Sequence, residues 1–231
     1  MLKYDLHVHS QYSRDSMASL KDILRTAKEK NLNGIAICDH DEIKGAFKAM
    51  ELVREFPEKY GGVVVIPGIE VSTAKGHILA LGVFEKIPPK MTPEETTDYA
   101  RDLGALSIIA HPFRKSAHGI GYIEGAGADA VETFNSKSIT NGANKKAEKE
   151  ANRLNMPKTG GSDAHIAELV GQGYTKIDVP DNTADSVISA ILQQKTVPGG
   201  ELTPYSVVAR QMGGNVIRRT KLLFKRQFHE V

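Results

Sequence analysis

The chain has 231 residues, with 30 Lys+Arg against 28 Asp+Glu for a formal net charge of +2, and 40% of it is hydrophobic. This is ordinary globular composition, which excludes a disordered chain, and the near-zero charge argues against a protein coated with nucleic acid while leaving room for a local basic patch. The single cysteine, Cys38, excludes an intramolecular disulfide framework and an all-cysteine zinc site. No apolar run is long enough to span a membrane and the first residues are charged, so the expectation is a cytoplasmic protein without a membrane partner.

In chain order, a short alternating strand is predicted over 4–9. A helix follows over 20–30, with Ser19 as N-cap and Asp22 three residues on. The compact apolar run 34–38 reads as a buried strand, and 42–54 as a helix with Ile43, Ala46, Phe47, Met50 and Val53 on one face. Strands are predicted over 63–71, with an irregularity at Pro67-Gly68, and over 77–83. Thr92 and Pro93 open a helix over 93–103. A strand over 105–110 is ended by His111-Pro112. A strand over 128–133, a helix over 141–154, strands over 158–162 and 174–179 and a helix over 183–193 complete the rhythm, which predicts a mainly parallel sheet or barrel. The stretch 210–231 differs. Arg210, Arg218, Arg219, Lys221, Lys225 and Arg226 face a single acid, Glu230, and alternate with Val216, Ile217, Leu222, Leu223, Phe224 and Phe228. It reads as a basic amphipathic helix appended to a domain over 1–209, packing its apolar side on that domain; contact with RNA phosphates or acidic lipid is the less favoured reading.

The chemistry concentrates at strand ends. In Asp5-Leu6-His7-Val8-His9-Ser10 the period of two puts Asp5, His7 and His9 on one face, so two imidazoles can converge on one ion while an acid orients an imidazole through its other nitrogen. His40 follows Asp39 at the end of the next strand, Glu70 ends another, His77 begins one, and His111, Glu132, Asp163 and His165 lie at or beside others. Of the eight histidines, only His118 and His229 stand apart from strand ends. In a parallel barrel these ends share one rim. Mixed imidazole and carboxylate donors without thiolate suit Zn, Mn or Fe, and so many donors predict two or three divalent ions sharing a carboxylate, a cluster suited to activating water and clamping phosphoryl oxygens.

Together, Asp5-x-His7-x-His9-Ser10, Asp39-His40, Pro67-Gly68-Ile69-Glu70, His111-Pro112 and Gly161-Ser162-Asp163-Ala164-His165 resemble, in the same order, the motifs of the PHP (polymerase and histidinol phosphatase) phosphoesterases. The resemblance implies an α/β fold, a distorted seven-stranded (β/α)7 barrel. It implies a first ion held by His7, His9, Glu70 and Asp163, a second by Glu70 as bridge with His77 and His111, and a third by Asp15, His40 and His165. Glu132, Asp5 and Asp39 would support these ligands, and Glu70, His111, Arg114 and Asp39 form the expected catalytic set. Only one helix lies between His77 and His111, where some members carry an inserted subdomain, so the site is expected to be open.

Phosphate binding needs cations at the rim. Arg14, Arg114 and Lys115 follow the metal motifs directly, with Arg114 first because His-Pro-x-Arg fixes it close to His111; Lys44 and Lys137 are weaker candidates. Ser10 and Ser162 read as turn residues, since neither sits in a nucleophile elbow. The implied function is a metal-dependent phosphoesterase acting on phosphomonoesters, with nucleotides or the 5′ ends of RNA or oligonucleotides preferred as substrates. Histidinol-phosphate phosphatase is the runner-up; a non-catalytic PHP binding module and a metal-dependent amidohydrolase are the alternatives from other classes.

Overall fold

A computed structural model of the protein describes residues 1–115, 118–204 and 207. The predicted basic helix over 210–231 and the boundary at 209 lie outside the described residues. Within them, β1 (Leu2–Val8), α1 (Leu20–Glu29), β2 (Gly34–Ile37), α2 (Lys44–Glu55), α3 (Pro57–Tyr60), β3 (Val64–Ser72), β4 (His77–Leu81) and α4 (Pro93–Asp102) form the first part. Then come β5 (Leu106–Ile109), β6 (Ala130–Asn135), α5 (Gly142–Arg153), β7 (Lys158–Gly161), a 3₁₀ turn (Ala167–Leu169), β8 (Gly173–Ile177), α6 (Ala184–Leu192) and β9 (Thr196–Gly200).

The helices begin where local chemistry starts them. Ser19 accepts from the Asp22 N–H, Thr92 and Glu95 form a reciprocal capping box with Pro93 in the first turn, and Thr183 accepts from the Ser186 N–H. Each cap satisfies an N–H that has no partner within the helix.

The strands make one nine-stranded sheet in the order β7-β6-β5-β4-β3-β2-β1-β8-β9. Pairing is parallel in β1–β2, β2–β3, β5–β6 and β6–β7, and antiparallel in β3–β4, β4–β5, β1–β8 and β8–β9. The expectation of a mainly parallel sheet is therefore corrected. The turn between β3 and β4, closed by Thr73 N–H to the Gly76 carbonyl at 3.1 Å, is too short for the crossover a parallel pair needs. The strand count also exceeds seven, in part because β9 carries Pro198, Gly199 and Gly200, a composition that hides an edge strand.

The sheet curls into a nearly closed barrel. β7 returns to β1, where the Asp163 N–H donates to the His7 carbonyl at 2.8 Å and the His9 N–H to the Ala164 carbonyl at 2.9 Å. Gly161 permits this approach, since a Cβ there would lie 2.5 Å from the His7 Cβ. One apolar cluster packs α1 and α2 on β1–β3 through Ile23, Leu24, Ala46, Ile35, Ile37 and Ile69. A second joins Leu6, Ile66, Leu79 and Ile108 to Val187 and Ile191 of α6. No helix among the described residues is long and apolar enough to cross a membrane.

Candidate metal centre

The rim is assembled by strand direction. β1, β2, β5 and β7 run parallel and deliver His7, His9, His40, His111, Asp163 and His165 at or just past their carboxyl ends. His40 pairs with Glu70 in an isolated bridge that brings the end of β2 beside β3. β4 runs the opposite way, so its first residue, His77, reaches the same rim, opposite Ser72. His111 and Asp163 have φ of 31° and 52°, in the left-handed region, which re-aims their side chains away from the strand course.

At the centre stands Glu70, 1% exposed. Its Oε1 lies 2.8 Å from His77 Nδ1 and 3.1 Å from His111 Nε2. Its Oε2 lies 3.4, 3.2 and 3.2 Å from His7 Nε2, His9 Nε2 and His40 Nδ1. Asp163 Oδ1 is 3.4 Å from His9 Nε2, and Asp15 Oδ2 is 3.4 Å from His40 Nε2 and 3.1 Å from His165 Nε2. All nine residues predicted to hold metal are thus brought together. Their donor atoms fall into four overlapping groups: His7, His9 and Glu70; His7, His111 and Asp163; His40, Glu70 and His77; and His9, Asp15, His40 and His165. His40 faces Glu70 with one nitrogen and Asp15 with the other, so it belongs to two groups, a sharing that the sequence pattern leaves invisible.

These groups fit divalent ions. His7 Nε2 and His9 Nε2 lie 3.1 Å apart, both turned toward Glu70 Oε2, an arrangement in which lone pairs converge on one point. Burial opposes charge on both imidazoles, yet Glu132, Glu70 and Asp163 hold His7 well above the ordinary range, and Asp163 and Glu70 raise His9 to about 9. Burial likewise opposes ionisation of Glu70 and Asp163. The surrounding histidines nevertheless hold Glu70 well below the usual carboxylate range, and Lys137, His7, His9 and Arg114 do the same for Asp163. The centre therefore favours positive charge, which divalent ions would supply in place of protons.

Glu132 orients rather than converges. Its Oε1 faces His7 Nδ1 at 2.9 Å, while its Oε2 accepts from the His111 N–H at 2.8 Å and the Asn135 amide at 3.0 Å. Asp5 does not orient an imidazole, contrary to the sequence expectation. It accepts from the Ser162 N–H, the Ser162 hydroxyl and the Gly171 N–H at 2.9, 2.6 and 2.7 Å, and burial pushes its pKa up to about 6. The irregular register of β1 between Asp5 and Val8 breaks the simple alternation on which that expectation rested. Asp39, expected in the catalytic set, accepts from the N–H and hydroxyl of Ser10 at 2.6 and 2.7 Å and contacts no imidazole among the described residues. Ser10 and Ser162 are accordingly turn residues, each tied to a buried acid.

Of the expected phosphate cations, Arg114 enters the centre, donating to Asp163 Oδ2 at 2.9 Å. Arg14 lies outward, 3.7 Å from Asp41, and Lys115 is exposed. Lys44 opens α2 on the surface. Lys137, ranked low from sequence, reaches Asp163 and His165. His118, set aside because it follows no strand, places Nδ1 3.3 Å from His77 Nε2; burial, with His77 and Arg114 nearby, lowers its pKa to about 4. Its only sequence signal is its place in the loop that follows His111-Pro112.

The sequence profile of the PHP-associated family matches residues 141–196. Uncharacterized protein MJ1587 of Methanocaldococcus jannaschii is 35% identical over 145 residues, covering 58% of this chain and 82% of that protein. A 5′-3′ exoribonuclease of Haemophilus influenzae is 40% identical over 94 residues, 39% of this chain and 32% of that enzyme. Among solved structures, a two-domain protein from Bacteroides vulgatus containing a predicted PHP-like metal-dependent phosphoesterase superposes with a TM-score of 0.71 at 19% identity, over 87% of this chain and 65% of that one. With its barrel, its ordered motifs and these relatives, the chain belongs to the PHP-domain family.

Proposed function

We propose that this protein is a metal-dependent phosphoesterase whose substrates are phosphomonoesters, with nucleotides or the 5′ ends of RNA and oligonucleotides preferred. The observation that carries the reading is the convergence of His7, His9, His40, His77 and His111 on the single buried carboxylate of Glu70, with the Arg114 guanidinium at its edge. His7, His9, Glu70 and Asp163 would hold one divalent ion, Glu70, His77 and His111 a second, and Asp15, His40 and His165 a third. Bound there, Zn, Mn or Fe would supply Lewis acidity toward a phosphoryl oxygen and an activated water.

The chain's own residues perform the remaining tasks. Glu132 locks the His7 ring through Nδ1 and leaves Nε2 pointing inward. Arg114 offers a planar fork to phosphoryl oxygens as charge builds on them. Asp5 and Asp39, through Ser162 and Ser10, hold the loops after β7 and β1 in register. The similarity to an exoribonuclease favours nucleic-acid ends over sugar phosphates.

The test is metal analysis of the purified protein together with a phosphate-release screen. The panel is nucleotides, bisphosphorylated nucleotides, 5′-phosphorylated oligonucleotides, sugar phosphates and histidinol phosphate, with amides alongside. The expected result is bound Zn, Mn or Fe and release from nucleotides or oligonucleotide ends, abolished by EDTA and restored by added metal. Full activity in metal-free protein, or hydrolysis of amides alone, would reject the reading.

A further inference from the structure

Lys137 lies two residues beyond the end of β6, and the turn that carries it is pinned to the centre. Asn135 is fully buried; its amide donates to Glu132, and its Oδ1 accepts the Lys137 N–H at 3.0 Å. The Lys137 side chain is only 18% exposed. Its ammonium sits 3.1 Å from Asp163 Oδ1 and 3.1 and 3.2 Å from the two ring nitrogens of His165. Those nitrogens also face oxygens, Nδ1 the Asp163 carbonyl at 2.9 Å and Nε2 the Asp15 carboxylate at 3.1 Å. A neutral imidazole has one lone pair, so the ring can accept from the ammonium at one nitrogen at most, and Asp163 supplies the charge that pairs with it. Across the same carboxylate, Arg114 donates to Oδ2 at 2.9 Å. One nearly buried acid thus carries two protein cations, one on each oxygen.

A half-buried lysine needs an anionic partner. The only carboxylate that Lys137 touches among the described residues is one that the metal centre would use. When a divalent ion takes Asp163, two unit cations and the ion crowd one carboxylate, and the ammonium loses its counter-charge just where a phosphoryl group would arrive. Arg14 and Lys115, favoured by sequence position, lie outside this arrangement.

We infer that Lys137 is a phosphoryl-binding residue paired with Arg114 across Asp163: it neutralises Asp163 in the metal-free protein and binds the substrate phosphate in the metal-loaded one. The inference rests on the metallophosphoesterase reading above and adds to it a second cation of the phosphate site.

The test uses full-length wild type, Lys137→Gln and Lys137→Arg. Chelator-treated protein is titrated with Mn²⁺ by calorimetry, Mn²⁺-loaded protein is titrated with inorganic phosphate, and melting temperatures are recorded. Lys137→Gln should bind Mn²⁺ about threefold tighter, the scale of one partly exposed charge pair. It should bind phosphate about tenfold or more weakly, as expected for one charged hydrogen bond lost. Lys137→Arg should restore phosphate binding to near the wild-type value. Unchanged or weakened Mn²⁺ binding in Lys137→Gln, unchanged phosphate binding, or a lowered melting temperature with neither affinity altered would each overturn the inference. Wild-type protein that takes up none of Mn²⁺, Zn²⁺ and Fe²⁺ would overturn the metal-centre reading along with it, whereas uptake of metal without phosphate binding would overturn the phosphate site alone.

Discussion

Glu70 has no solvent to rely on, and every imidazole around it competes for two oxygens. Replacement by glutamine keeps the shape and removes the charge, so the facing histidines lose their shared counter-ion. Glu70→Gln is expected to weaken Mn²⁺ or Zn²⁺ binding by more than about a hundredfold, beyond what loss of a merely orienting partner costs, and to abolish phosphate release. Its circular dichroism spectrum should match wild type. Retained metal binding and turnover would exclude Glu70 as the shared ligand. Asp5 shows how residue type can mislead at this scale. It is an acid beside two metal-type histidines, yet it braces the Ser162 and Gly171 backbone, and Glu132, far away in sequence, orients His7.

β1 and β7 and the residues directly after them position four of the nine donors, His7, His9, Asp163 and His165, and the two strands meet at Gly161. A Cβ at Gly161 would lie 2.5 Å from the His7 Cβ and 2.9 Å from its nitrogen, contacts that only a shift of one strand relieves. Gly161→Ala should therefore destabilise the protein by about 1–3 kcal/mol, the cost of overpacking, and also weaken metal binding because His7 moves. Gly142→Ala is the matched control. It opens α5, its Cβ would meet Thr140 Oγ1 at 3.7 Å, and stability should hold or rise slightly. Denaturant unfolding of both variants, with and without Mn²⁺, checks this; equal behaviour would remove Gly161 from the closure of the barrel. The helices were legible at this scale because caps and 3.6-residue periodicity are local, as at Ser19, Thr92 and Thr183. β9 was not, since Pro198-Gly199-Gly200 forms a strand only because β8 lies beside it.

For the molecule as a whole, the centre makes stability depend on pH in opposite senses with and without metal. In metal-free protein, His7 and His9 are raised, His9 from 6.5 to about 9; their contribution is full below pH 6.5 and is lost as pH rises toward 9. His165 and His118 are lowered from 6.5 to about 4, so the folded protein loses stability as pH falls through that interval. Glu70 and Asp163, also lowered, add to the loss in acid. The melting temperature with EDTA should therefore peak near pH 6.5 and fall on both sides. With saturating Mn²⁺, ions replace the protons on His7 and His9, and the peak should move to higher pH. A chelated protein that grows steadily more stable from pH 6.5 to 9 would contradict this account.

The order of elements, the caps and the delivery of His, Asp and Glu to strand ends are properties of neighbouring residues, and the sequence by itself determined them. Periods of 2 and 3.6 residues and the motifs from Asp5 to His165 are short-range patterns that survive without knowledge of the fold. The tertiary structure alone decided which acid serves which histidine. It also decided that β8 runs antiparallel to β1, that His40 faces two donor groups, and that Lys137 and His118 enter the centre while Arg14 and Lys115 stay outside. Each of these depends on contacts between chain segments distant in sequence, and no local spacing encodes such a meeting.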